Sequence, residues 1–376
     1  MSYFDELIER QGTDSIKWGR YAGRDILPLW VADMDFAAPP AVLTAIERRL
    51  KHGVFGYGSP TPLLVQSVRQ FLLDNYDWSI EAEAIVWLPG LVTGLNVACR
   101  AVGGDVLTAT PIYPPFLSAP RLSGKKLHCV ELACDDGHWQ WDKAALQAAV
   151  NETTELFLLC HPHNPVGRCW NEQELRDLAN FAEQHDLLVC SDEIHCDLIL
   201  DRDKRHIPFA SLSADASKRS ITLMAPSKTY NIPGLGCAFA VIPDQGLRRR
   251  FLRAMEGIVP HVNVLGLAAC EAAYSECKDW HQSLIDYLIA NRDRVTATVD
   301  GLKRVKMGRV EATYLAWIDV RDLGLNNPAK HFEDYGLGLS DGADFGSPGW
   351  LRLNFACSRA MLDEALKRLV TACEAQ

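Results

Sequence analysis

Ser220-Ile221-Thr222-Leu223-Met224-Ala225-Pro226-Ser227-Lys228-Thr229-Tyr230-Asn231 begins as a mostly apolar run of strand length, breaks at Pro226 and delivers a lysine just beyond the break. Several such runs along the chain are continuously hydrophobic, as strands covered on both faces are, whereas an amphipathic strand would show a period of two. The same figure recurs at residues 84–88, 105–109, 127–132, 155–160, 187–191 and 238–242. Between these runs lie helical stretches such as Asn171-Glu172-Gln173-Glu174-Leu175-Arg176-Asp177-Leu178-Ala179, which opens with an Asn cap and a Glu three residues later. Strand, helix and strand in alternation predict an α/β fold with a mostly parallel, doubly wound sheet.

From about Asp279 the pattern changes to a long helix with a polar face through Asp300, strand-like pieces at 313–320 and 350–355, and a last helix from about Ala360. This predicts a smaller α+β domain made of residues 279–376 together with 1–45, where Pro28, Pro39 and Pro40 signal loops that wrap onto it. The large domain is then 46–278. A chain of 376 residues with 48% hydrophobic content is long enough for both.

The balance of 38 basic against 48 acidic side chains gives a net charge of -10, which argues against a nucleic-acid partner and for a small-molecule one. The opening MSYFDELIERQGTDSIKW has neither a basic nor an apolar leader region, and no run of about 18 apolar residues follows, so a cytoplasmic protein without membrane contact is expected. The twelve cysteines include no CxxC pair and read as reduced, mostly buried thiols. His161 and His163 with Cys160 or Cys169 have zinc-ligand chemistry, but such residues around a strand end are far more often structural, and no metal is expected.

Ligands of open α/β sheets bind beyond the carboxyl ends of the strands, so the loops there hold the candidate site. Lys228 is one candidate, although a lysine standing alone is ordinarily solvated. Asp192, in Ser191-Asp192-Glu193-Ile194-His195, ends another hydrophobic run. A buried carboxylate at that point needs a cation, and a pyridinium nitrogen is one; a helix cap or an ordinary salt bridge is the plainer alternative. Asn164 tips the turn His161-Pro162-His163-Asn164-Pro165-Val166-Gly167, where its amide can donate to a phenolic oxygen or simply shape the turn. Leu88-Pro89-Gly90-Leu91-Val92-Thr93-Gly94-Leu95 leads a strand into a helix whose free amides suit a phosphate. It lacks GxGxxG and GxxxxGK[ST], which disfavours dinucleotide and P-loop readings.

In order along the chain, Asp14-Ser15-Ile16-Lys17-Trp18, Leu29-Trp30-Val31-Ala32-Asp33-Met34-Asp35-Phe36, Phe55-Gly56-Tyr57, Pro111-Ile112-Tyr113-Pro114-Pro115-Phe116, His163-Asn164-Pro165-Val166-Gly167, Ser191-Asp192-Glu193-Ile194-His195, Ala225-Pro226-Ser227-Lys228 and Leu351-Arg352-Leu353-Asn354 make up a composite pattern. It resembles the fold-type I pyridoxal 5'-phosphate (PLP) enzymes of the aspartate aminotransferase superfamily, and within them the cystathionine β-lyase-like C-S lyases of the MalY/PatB type. The resemblance implies that Lys228 is the Schiff-base lysine, Asp192 the partner of the pyridine nitrogen, Asn164 the neighbour of the ring hydroxyl and Tyr113 a stacking ring. It implies Arg352 on the substrate α-carboxylate with Ala32 beside it, and His195 near the ring hydroxyl. Tyr57 would reach the phosphate of a neighbouring subunit in a homodimer with shared sites. Where transaminating members commonly carry Ser three residues before the lysine and Arg eight after it, this chain has Ala225 and Gly236, so the phosphate falls to Val92, Thr93, Ser227 and Tyr57. Many members also have Tyr at the position of His195. The implied activity is β-elimination from cystathionine or related S-substituted cysteines to pyruvate, ammonia and a thiol, homocysteine in the case of cystathionine. An aminotransferase using the same residues and a regulatory protein on the same fold are the competing readings.

Overall fold

The computed structural model describes residues 3–375. Its central sheet has seven strands: β1 (Ile85–Leu88), β2 (Asp105–Thr110), β3 (Leu127–Glu131), β4 (Thr154–Cys160), β5 (Leu188–Asp192), β6 (Ser220–Met224) and β7 (Ala238–Val241). They lie side by side in the order β1-β7-β6-β5-β4-β2-β3. Pairing is parallel from β6 through β3, and β7 runs antiparallel to both β6 and β1. No helix of α-type separates β6 from β7, so the chain returns in the opposite direction instead of crossing over.

The uninterrupted apolar runs have a direct structural cause. In β4, Leu156 and Leu158 pack into one core with Val86, Leu88, Ile221 and Leu223, while Phe157 and Leu159 pack into a second core with Val189, Trp170 and Leu175. A strand that feeds two cores carries apolar side chains at successive positions. The helices include α1 (Pro40–His52), α2 (Pro62–Tyr76), α3 (Leu91–Ala101), α4 (Glu172–Gln184), α5 (Val264–Glu276), α6 (Lys278–Asp300) and α7 (Arg359–Glu374). At the start of α4 both halves of the capping box are made: the Glu174 N–H donates to Asn171 Oδ1 at 2.9 Å, and the Asn171 N–H to Glu174 Oε2 at 2.8 Å. Among the described residues no helix is long and apolar enough to cross a membrane.

A second, antiparallel sheet is built from β8 (Lys306–Met307), β9 (Leu315–Asp319), β10 (Ser340–Asp341) and β11 (Trp350–Asn354), in the order β8-β9-β11-β10. Its core includes Leu315, Ile318, Leu351 and Leu353, with Leu284 and Leu288 of α6 and Leu362 and Leu369 of α7. Phe4, Leu29, Met34 and Phe36 from the start of the chain belong to this same core. From Pro40 onward the packing changes: Val42 and Ala45 of α1 join Tyr230, Ala269 and Ala272 instead. Helix α1 runs unbroken through the 45/46 boundary. Pro39 and Pro40, which read as loop signals, are in fact the cap and first residue of a helix, where the missing N–H of proline is no loss.

The segment between these two packing regions is fixed by buried charge. Lys17, 1% exposed, donates from Nζ to Asp35 Oδ2 at 2.7 Å and to the Asp33 carbonyl at 3.0 Å. Arg10 bridges Asp33 at 2.7 Å and Asp35 at 2.6 Å, and the Trp18 indole N–H donates to Asp35 at 2.9 Å. Removing the ammonium alone leaves part of a buried carboxylate's charge uncompensated, a change that costs about 3 kcal/mol or more. Lys17→Met is therefore expected to lower the unfolding free energy in urea by about that amount; a loss below about 0.5 kcal/mol would show that the pair contributes no more than a surface ion pair.

Candidate active site

Three strand ends meet at one point of the sheet edge. Cys160, Asp192 and Leu223 are register partners on β4, β5 and β6, so the loops after them leave from the same edge. Together with the start of α3, β11 and the 30–34 segment they enclose a cavity of about 790 Å³. Ala32, Val92, Thr93, Tyr113, Asn164, Asp192, His195, Ser227, Lys228 and Arg352 all line it. Tyr57 does not: it is fully exposed on the loop before α2.

Three charged groups in this cavity lack an oppositely charged partner in ion-pair contact among the described residues. The Lys228 Nζ donates to the Ala32 carbonyl at 2.5 Å. Burial, reinforced by the positive field of Arg352, draws its pKa down to about 8, with Asp33 and Asp192 opposing the shift. The Asp192 carboxylate, 5% exposed, accepts one hydrogen bond, from the Ile194 N–H at 3.2 Å, and burial pushes it up to about 7. The Arg352 guanidinium, 4% exposed, donates to Asn164 Oδ1 at 3.0 Å, the Trp30 carbonyl at 2.9 Å and Ser340 Oγ at 3.3 Å, lies 4.7 Å from the Phe345 ring centroid, and leaves Nε without a partner. Burial lowers it to about 10. Buried charge of this kind is tolerated where a ligand supplies the counter-charge.

The neighbouring groups are polar but neutral. His195 is buried with Nδ1 unpartnered; burial first, then Lys228 and Arg352, hold its pKa well below the ordinary histidine range. Burial raises the Tyr113 phenol, which stands at the cap of the helix Pro114–Leu122. At the cavity wall, α3 starts from Gly90, and its first N–H groups have no intrahelical acceptor, as at any helix start. Gly94 brings α3 tight onto β6, since a Cβ there would stand 2.9 Å from the Leu223 side chain. Gly236 has a left-handed φ of 56°, and a Cβ on it would lie 3.1 Å from the Pro89 carbonyl. The backbone at that position is thus shaped for glycine.

Four residues of the site receive no role from the sequence, although Trp30 sits within the 29–36 motif. Trp30, Ser340 and Phe345 surround Arg352, and Tyr314 donates its hydroxyl to the Ala32 carbonyl at 2.8 Å. Tyr314 falls inside a predicted strand, where an aromatic reads as core.

These side chains fit a pyridoxal phosphate. A buried carboxylate with one hydrogen bond matches a ring N–H⁺, an amine of lowered pKa matches an aldehyde carbon, and the start of α3 with Thr93 and Ser227 matches a phosphate.

Residues 24–369 match the family described as aminotransferase class I and II. The chain is 37% identical to cystathionine beta-lyase PatB of Bacillus subtilis, over 98% of this chain and 99% of that protein. Among solved structures it superposes on OvoB with a TM-score of 0.97 at 46% identity, covering 99% of both chains. It superposes on cystalysin from Treponema denticola, which contains a pyridoxal 5'-phosphate cofactor, with a TM-score of 0.94 at 32% identity and full coverage of both chains.

The lowered pKa of Lys228 has a direct chemical readout. In the cofactor-free chain, competitive acetylation followed by peptide mass spectrometry is expected to show Lys228 titrating near pH 8, while exposed lysines titrate near their ordinary value of about 10.4. Titration of Lys228 together with the surface lysines would contradict this description of the site.

Proposed function

The chain belongs to the class I and II aminotransferase family, and from that premise we propose that it is a pyridoxal-phosphate C-S β-lyase that converts an S-substituted cysteine such as cystathionine, with one water, into a thiol, pyruvate and ammonia. The observation that carries this reading is the convergence of Lys228, Asp192 and Arg352 on one cavity, each buried or partly buried and none in an ion pair with another.

When bound, pyridoxal phosphate supplies an electron sink conjugated to the substrate nitrogen. Asp192 would keep the ring nitrogen protonated, Tyr113 and His195 would flank the ring, and the amides at Val92 and Thr93 with Ser227 would hold the phosphate. Arg352 grips the substrate α-carboxylate, a task suited to its planar fork. The Lys228 amine removes the Cα proton, and its lowered pKa leaves far more of it neutral at pH 7 than an ordinary lysine has. The same Nζ, now carrying that proton, stands to deliver it to the departing sulfur. Arg20, Lys330 and Asp344, all exposed, line the cavity mouth and present both charge signs, which suits a long thioether with a polar distal end.

The relatives named as cystathionine β-lyase and the glycine at position 236 support elimination over amino transfer, although a transaminase would use the same Lys228, Asp192 and Arg352. The exposed trio Val54, Phe55 and Tyr57 supports a homodimer in which Tyr57 reaches the partner's phosphate. Twelve free thiols, ten of them buried, support a reducing, cytoplasmic setting.

Purified protein supplied with pyridoxal phosphate and cystathionine is expected to release pyruvate and free thiol in equal amounts with no keto-acid present. Turnover that requires 2-oxoglutarate would make it a transaminase. Arg352→Lys should lower kcat/KM by about 30-fold or more, mainly through KM, as expected for losing a bidentate charge-assisted contact; an unchanged KM would remove Arg352 from the carboxylate site.

A further inference from the structure

We infer that Tyr314 is a positioning residue for Lys228, acting through the carbonyl of Ala32 that both side chains share. The inference deepens the reading of Lys228 as the proton-transferring amine, and it rests on contacts that exist in the chain itself.

The segment 30–33 presents four consecutive carbonyls, and each one accepts a side-chain donor. Trp30 O takes Arg352 at 2.9 Å and Ser340 at 2.7 Å. Val31 O takes the Asn354 amide at 2.6 Å, and Asp33 O takes the same amide at 2.7 Å and Lys17 at 3.0 Å. Ala32 O, held between these anchors, takes Lys228 Nζ at 2.5 Å and Tyr314 Oη at 2.8 Å. A carbonyl has two lone pairs, so the two donors fit together, but they draw on the same electron density.

Tyr314 is fully buried, and its ring meets His195 edge-on at 6.0 Å between centroids. Burial raises its phenol far above the ordinary range, so the hydroxyl stays protonated and serves as a donor, never as an acid or base. The residue before it, Thr313, is buried with a φ of 73°. A β-branched side chain in the left-handed region is an uncommon and strained arrangement that persists where surrounding contacts enforce it. Here the Thr313 N–H donates to Leu198 O at 2.8 Å, and Oγ1 accepts from the Leu315 N–H at 3.2 Å.

The consequence falls on the two forms of the lysine. An ammonium makes a stronger hydrogen bond to a carbonyl than a neutral amine does. With the Tyr314 hydroxyl already on that oxygen, the ammonium gains less, and the neutral amine is favoured. The other groups acting on Lys228 are Arg352 and Lys17, which lower its pKa, and Asp33 and Asp192, which raise it; His195 is held neutral. Two of these groups, Arg352 and Asp33, also lie within the electrostatic reach of Tyr314, but neither shares the Ala32 carbonyl with Lys228.

The test is Tyr314→Phe, read by competitive acetylation of Lys228 in the full-length, cofactor-free chain, with thermal unfolding as the check on folding. With the second lone pair freed, Lys228 should titrate at higher pH, and its acetylation at pH 7 should slow by about 3- to 10-fold, the range one hydrogen bond commands. In the PLP-loaded enzyme the same variant should lower kcat with little change in KM. If the Phe variant does not fold, Tyr314→Leu, which also lacks the hydroxyl, serves in its place. A folded variant in which Lys228 titrates as before would overturn the inference. A shifted titration in a protein that releases no thiol from cystathionine would leave the inference standing and remove the lyase reading.

Discussion

Burying a charge without its counter-ion is expensive, and this fold does it three times within one cavity. Lys228, Asp192 and Arg352 come from the loop after β6, the end of β5 and the middle of β11, and none of them forms an ion pair with another among the described residues. The chain tolerates this because each group has neutral hydrogen-bond partners: a backbone carbonyl for the lysine, a backbone N–H for the aspartate, and an amide, a carbonyl and a hydroxyl for the arginine. Such partners soften the penalty without cancelling the charge. What remains is a set of unmet demands, one for an anion and one for a cation, beside an amine held partly neutral.

The scaffold around the cavity serves to hold these groups apart. Parallel strands β4, β5 and β6 place Cys160, Asp192 and Leu223 in register, so three loops leave from one edge. The antiparallel sheet contributes Arg352 from the centre of β11, and the N-terminal segment lies between the two bodies with its carbonyls facing donors from both. The ionic cluster of Arg10, Lys17, Asp33 and Asp35 secures that segment from behind. A lysine, an arginine and a tyrosine all depend on carbonyls of residues 30–32, so the position of this one strap couples the Lys228 amine to the Arg352 guanidinium.

Much of this is legible in the amino-acid sequence. The strands were readable because two cores, one on each face, require unbroken apolar runs, and α4 was readable because its cap is local chemistry. Asp192, Asn164 and Lys228 stand out as polar residues next to apolar runs, Arg352 is implied by the family resemblance, and the structure brings all four into one cavity. Other features depend on tertiary context. The reversed direction of β7 leaves no trace in its composition, which matches that of its parallel neighbours. Pro40 carries the same letter whether it breaks a chain or opens a helix, and only the packing of Val42 and Ala45 decides. Tyr314 looks like one more core aromatic until its hydroxyl is found on a carbonyl 282 residues earlier. Tyr57 is fully exposed and lies outside the cavity lining.

The central claim is that one particular amine forms the covalent link to the cofactor. Borohydride reduction of the protein saturated with pyridoxal phosphate, followed by digestion and mass spectrometry, reads that link without relying on any substrate. The account predicts a single pyridoxyl adduct, on the peptide that contains Lys228. An adduct confined to another lysine, or none at all on a protein that retains bound cofactor, would contradict it.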